Sequence, residues 1–191
     1  MSSPIRRMVF TALFAALFIV LSAIKIPLGF TPIPISLQNL GAMLSAAFLG
    51  PIYGFLSILA VVLLTALGLP LLHGEGGLAL LLGPTGGFIW SFSICALVTG
   101  FVVQRALRSS LLKQRPALLF IVLVVSFMLF GPMISYLCGV PWLAYSYQMS
   151  LGKAIAAGMT PFLPGDIIKS LVSAGVVMAL RPYLPAVRIS K

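Results

Sequence analysis

The sequence predicts an all-α integral membrane protein of six transmembrane helices with both termini cytoplasmic, and three observations carry that prediction. The 191 residues are 61% hydrophobic and only 7% charged, with a mean hydropathy of +1.18, whereas a soluble domain carries roughly 25% charged residues. Uncharged apolar runs approach the ~20 residues that a helix needs to cross a bilayer. The bases sit in short groups between those runs, which is how Lys and Arg are distributed in cytoplasmic loops.

The elements follow in order along one domain, 1–191. The first span, 8–25, lies behind Arg6 and Arg7. Its apolar stretch is long and no small-residue cleavage site precedes Lys25, so it reads as a retained helix and not as a signal peptide. Pro27, Pro32 and Pro34 then force an extended, stiff loop. The second span, 36–50, would reach only about 22 Å at 1.5 Å per residue and must be tilted or partly covered. Gly50-Pro51 joins it directly to the third span, 51–72, after which comes the loop Gly74-Glu75-Gly76-Gly77. The fourth and fifth spans, 84–105 and 116–138, each open on a proline, the residue tolerated where a helix begins. Residues 142–158 mix polar and apolar side chains and contain Gly152 and Lys153, which predicts a short interfacial helix. The sixth span, 163–181, is apolar except for Asp166 and Lys169.

With the N-terminus inside, nine of the twelve bases fall on the inner side: Arg6, Arg7, Arg105, Arg108, Lys113, Arg115, Arg181, Arg188 and Lys191. Lys25 and Lys153 fall outside, and Lys169 lies within a span. This asymmetry sets the orientation.

The same inventory excludes most chemistry. Glu75 and Asp166 are the only acids, His73 the only histidine, and Cys95 and Cys138 the only cysteines. No zinc site, di-acid metal site or serine–histidine–acid triad can be drawn from these, and no cofactor is expected. The net charge of +10 does not indicate nucleic acid, because the bases are not clustered on one face with stacking aromatics. Both cysteines fall in apolar stretches and read as small membrane-buried side chains, not as a disulfide.

Function is sought where the membrane rule is broken. A charge inside a span costs ~2.5–3.5 kcal/mol or more, so it needs a partner or a cavity. Asp166 and Lys169 are three residues apart, share a helix face and can pair. Pro164 places Asp166 in the first helical turn, where the helix dipole favours a carboxylate. The pair is either a structural tie between helices or the polar floor of an outward-facing pocket. Gly83-Pro84-Thr85-Gly86-Gly87 lacks the lysine of a phosphate-binding loop; its glycines allow close approach of a ligand or a helix, and Thr85 adds a hydroxyl at a helix start. Gln38 and Asn39 offer amides just inside the second span. His73 and Glu75 read as solvated loop residues and Lys153 as an interfacial base. Trp142, Tyr145 and Tyr147 read as interfacial belt residues or as a lid over a pocket. Ala12 and Ala16, four apart on the first span, form a small-xxx-small face that lets another helix come close.

Three motifs in order, spread over the whole chain, resemble the BioY family. They are Pro32-Ile33-Pro34-Ile35-Ser36-Leu37-Gln38, then Gly76-Gly77 with Gly83-Pro84-Thr85-Gly86-Gly87, then Pro161-Phe162-Leu163-Pro164-Gly165-Asp166-Ile167-Ile168-Lys169. Phe88 departs from the pattern, since the family often has tyrosine after the Gly-Gly. The resemblance implies the six-helix bundle of an S component, the substrate-binding subunit of an energy-coupling-factor (ECF) transporter, in the cell membrane and without enzymatic activity. It implies capture of biotin from outside, docking onto a transmembrane coupling subunit driven by two ABC-type ATPases, and tilting to deliver the vitamin. Ala12 and Ala16 would be the docking surface. Members that act without a dedicated module, as homo-oligomers, are also implied. Lys169 would meet the biotin carboxylate and Asp166 a ureido N–H, with Thr85 or Gln38 on the remaining polar atoms, Gly86 at the close backbone approach and Tyr145 over the pocket. The two ends of the ligand can be exchanged in this assignment. A self-sufficient carrier with Asp166 as its titrating group, and an S component for another vitamin, are the rival readings.

Overall fold

A computed structural model of the chain describes residues 4–29, 31 and 33–181. Pro32 of the proline loop, and Arg188 and Lys191 of the last basic group, lie outside the described residues.

Helix α1 (Pro4–Ala23) runs from the arginine pair to a small antiparallel ribbon, β1 (Lys25–Ile26) with β2 (Ile35–Ser36), in which Lys25 faces Ser36 and Ile26 faces Ile35. The proline loop is closed by this ribbon, so the stiffness expected of it is met by strand pairing as well as by fixed φ angles. Helix α2 (Gln38–Leu49) returns and α3 (Pro51–Ala66) runs back out. Gly50 between them has φ +81° and serves as end of one helix and start of the next, a conformation that other residues rarely adopt. A one-turn helix, α4 (Leu78–Leu82), leads into α5 (Gly86–Arg108), followed by α6 (Ser110–Gln114), α7 (Pro116–Phe130), α8 (Pro132–Ser146), α9 (Leu151–Gly158) and α10 (Leu163–Ala179).

Helices α2 and α5 form the centre, α2 against α1, α3, α5 and α10, and α5 against α3, α7 and α8. That position explains why α2 can be short: nine of its twelve residues are buried against other helices. Two apolar clusters divide the interior. One, with Phe18, Phe92, Leu143 and Phe162, lies toward the ribbon. The other, with Met43, Phe48, Leu123, Phe127 and Val177, lies toward the arginine end. The order of the helices brings the described bases Arg6, Arg7, Arg105, Arg108, Lys113, Arg115 and Arg181 to the end opposite the ribbon, where Arg7 donates to the Tyr53 hydroxyl at 3.1 Å.

The helices depart from the expected runs in three places. The third stops at Ala66, not 72, because Gly68 turns the chain at φ +102° and Leu72 pairs with Glu75. The fifth extends past 138 to Ser146 as a 31-residue apolar stretch, interrupted at Gly131-Pro132 and carrying Pro141 within α8. Trp142 therefore belongs to α8, and the short helix of the 142–158 segment is confined to α9. By length and hydropathy, Ile5–Ala23, Gly86–Arg108 and Pro116–Ser146 qualify as spans among the described residues; α9 and α10, bent by 49°, make up to four when taken together. Pro51–Ala66 is apolar but shorter.

Candidate ligand-binding site

The ribbon end of the bundle holds two connected hollows. The outer one has a volume of about 710 Å³ and is walled by the proline loop (Pro27, Thr31, Pro34), the glycine-rich loop (His73, Glu75) and the α4–α5 connection with Thr85. The inner one, about 60 Å³, lies beneath it and is lined by Gln38, Asn39, Tyr136, Phe162, Asp166 and Lys169. Pro34, His73 and Thr85 line both and so form the neck between them.

The floor is built by three helices. Proline at the start of α10 leaves its first turn free to hold Asp166, whose side chain is 1% exposed. A carboxylate so buried requires donors, and three converge on it. Lys169 Nζ lies 2.8 Å from Oδ1, Asn39 Nδ2 of α2 donates to the same oxygen at 3.3 Å, and the Tyr136 hydroxyl of α8 donates to Oδ2. Beside them Gln38 is 4% exposed; its Oε1 accepts from Ser36 at 3.3 Å, while its Nε2 is buried without a partner. Phe88 packs edge-on against Tyr136 at 6.5 Å between centroids. The phenol at this floor is thus supplied by α8.

Three hydrogen bonds hold the roof. Thr31 donates to the Ala157 carbonyl at 2.7 Å, pinning the proline loop to α9. Trp142 Nε1 donates to the Gly83 carbonyl at 2.8 Å and Trp90 Nε1 to the Leu81 carbonyl at 3.3 Å, fixing the stretch that presents Thr85. A Cβ on Gly87 would stand 2.5 Å from Trp142 Cβ, so glycine there lets α5 and α8 meet closely.

Of the residues singled out in the sequence, Lys169, Asp166, Thr85 and Gln38 come together around these hollows. Gly86 does not line them; it is buried where a Cβ would meet the Leu81 carbonyl oxygen and, at 3.3 Å, Trp142 Nε1. Tyr145 is 77% exposed and outside both linings, whereas Tyr147 joins the outer wall. His73, expected to be solvated, stands at the neck with a buried Nδ1 that has no partner. Burial first, then the positive charge of Lys25, holds its imidazole below the usual histidine range. Glu75 pairs with Lys25 at 3.1 Å. Tyr136 gave no signal in the sequence, since a phenol in an apolar helix looks like core. On α1, Ala12 and Ala16 are both exposed, next to exposed Met8, Val9, Leu13 and Val20.

The pair geometry limits what the floor can recognise. Two groups 2.8 Å apart meet the same end of a ligand, so they cannot serve opposite ends of an elongated one.

The family model described as "BioY family" matches residues 1–186. The chain is 38% identical over 186 residues to a Rhizobium etli protein named biotin transporter BioY, covering 95% of this chain and 97% of that one. It is 37% identical over 197 residues to a protein of the same name from Rhodobacter capsulatus, covering 97% and 98%. The fold is similar to the crystal structure of the S-component for biotin from an ECF-type ABC transporter, with a TM-score of 0.84, 30% identity and 95% of each chain covered. A solved S component of a bacterial ECF transporter shares the fold at a TM-score of 0.58 and 16% identity, over 96% and 98% of the two chains.

Proposed function

The chain belongs to the BioY family, and on that premise we propose that it is the multi-pass cell-membrane subunit that captures biotin outside the cell and carries it across. It is a transport component and not an enzyme. Its domain, 1–191, crosses the membrane six times with the arginine end in the cytoplasm, a reading supported by the seven described bases gathered there and by the preference of Lys and Arg for that side. The ribbon end with its hollows then opens outward.

The single observation that carries the ligand reading is the Asp166–Lys169 pair with Asn39, Tyr136 and Gln38 at the bottom of a two-part hollow. A ureido group offers two N–H donors and one carbonyl. An ionised carboxylate has about four lone-pair sites; three protein donors on Asp166 leave one for a ligand N–H. Lys169 carries three N–H bonds and spends one on Asp166, and Gln38 Nε2 has no protein partner; these are donors for the ureido carbonyl. The neutral group suits a floor whose charges already cancel, whereas a carboxylate would leave a net negative charge in a buried space, at high cost. Phe88, Phe92 and Phe162 line the inner hollow and give the bicyclic ring apolar walls. Thr85 stands at the neck beside the aliphatic tail.

Energy comes from outside the chain, through a transmembrane coupling subunit and two ABC-type ATPases. The S-component fold supports that partnership, and the exposed strip of α1 around Ala12 and Ala16 is the surface proposed to meet the coupling subunit.

Titration of labelled biotin onto the purified, detergent-solubilised chain alone, with riboflavin and thiamine as competitors, tests the reading. Saturable binding displaced by biotin only is the expected result. Displacement by another vitamin, or no binding by well-folded protein, would sink the biotin assignment.

A further inference from the structure

A ureido group at the floor places the other end of the ligand, its carboxylate, toward the outer hollow, and one side chain there lacks a partner. We propose that His73 receives the ligand carboxylate through Nδ1, taking up a proton from solvent as the ligand binds. The inference rests on the biotin reading above and extends it to a residue outside the motifs that carry the family resemblance.

Four observations support it. His73 lines both hollows, so a ligand reaching from the floor into the outer space passes its ring. Nδ1 is buried and has no hydrogen-bond partner. The imidazole also faces the backbone carbonyl of Ser22 at the end of α1. That carbonyl favours the protonated ring, and in the imidazolium both nitrogens are donors. A lone pair repels a carboxylate; Nδ1 must be protonated to donate to it. His73 adopts φ +58°, a left-handed conformation that is uncommon for a side chain of this kind, and strain of this sort collects at ligand sites.

The charged and titratable neighbours fix the direction of the effect. Lys25 on β1 disfavours the imidazolium, Glu75 in the same loop favours it, and burial outweighs both. Tyr147 after α8 shares the outer wall, and the Asp166–Lys169 pair on α10 faces the inner side of the neck. In the free protein burial and the Lys25 charge hold the ring below the usual histidine range and favour its neutral form. A carboxylate against Nδ1 favours the charged form and raises the value. The complex then holds more protons than the free protein across the window between the two values, so affinity rises as pH falls through it and levels off below the free-state value.

The experiment measures Kd for biotin between pH 8 and 5.5 on the full chain, on His73→Asn and with biotin amide as a neutral probe. Asparagine tolerates the left-handed backbone and does not titrate, and a thermal melt of the variant checks its fold. Wild-type Kd should fall on acidification, by up to about tenfold per pH unit for one linked proton. His73→Asn with biotin, and wild type with biotin amide, should each be flat. A flat or opposite wild-type profile, or the same slope in the variant or with the amide, would overturn the assignment. Absence of biotin binding at every pH would instead overturn the biotin reading on which it stands.

Discussion

Asp166 and Lys169 are each other's solvent. Neither could sit within an apolar helix alone, and removing one strands the other: breaking a buried pair by deleting one partner costs about 3–5 kcal/mol. Lys169→Ala is therefore expected to lower the melting temperature and to abolish biotin binding together. The neutral pair Asp166→Asn with Lys169→Gln should recover most of the melting temperature while leaving binding weak, since the charged donor is gone. Recovery of binding by the neutral pair would make the pair a structural tie. These two residues were legible in the sequence because hydropathy forbids them where they stand. Gln38 and Thr85 were legible as polar groups at helix starts. His73 was not: a histidine among glycines reads as a solvated loop, and only the return of the chain through the Leu72–Glu75 bridge turns it inward. Tyr145 is exposed and Tyr147 lines the outer hollow, a choice that a helix of unknown rotation does not reveal in the sequence.

At the scale of elements, α1 is the least buried of the three long apolar helices among the described residues. Its alanines at 12 and 16 flatten one side, and larger residues around them remain exposed, which suits close contact with another helix. Ala12→Trp and Ala16→Trp should leave biotin binding by the isolated subunit within about twofold, the ±0.5 kcal/mol typical of surface changes, and abolish ATP-driven uptake in vesicles that contain the coupling module. Equal loss of both would mean a folding defect. The starts of helices were well marked by Pro51, Pro116 and Pro164, where a missing N–H does no harm. Their ends were not. A stretch without charges from 116 to 146 has no boundary that hydropathy can detect, and Pro141 sits inside α8. Proline is tolerated in a membrane helix when neighbouring groups satisfy the freed backbone.

For the whole molecule, the gathering of bases at one end gives the orientation a direct test. In a background with Cys95→Ser and Cys138→Ser, a cysteine replacing the exposed Lys153 should react with a membrane-impermeant maleimide in intact cells. A cysteine replacing the exposed Lys113 should react only after permeabilisation. The reverse pattern would invert the protein. Charge distribution made the sidedness legible, whereas helix count is harder to read because α2 and α3 are short and shielded by their neighbours. The chain also carries a built-in reporter. Its two tryptophans, Trp90 and Trp142, both bond to the carbonyls of the loop that presents Thr85. Indole emission shifts with the bonding and polarity around the ring, so the intrinsic fluorescence of the unlabelled protein is tied to that one loop. Any change in the contacts of that loop is thereby written into the light the molecule emits, with no dye attached.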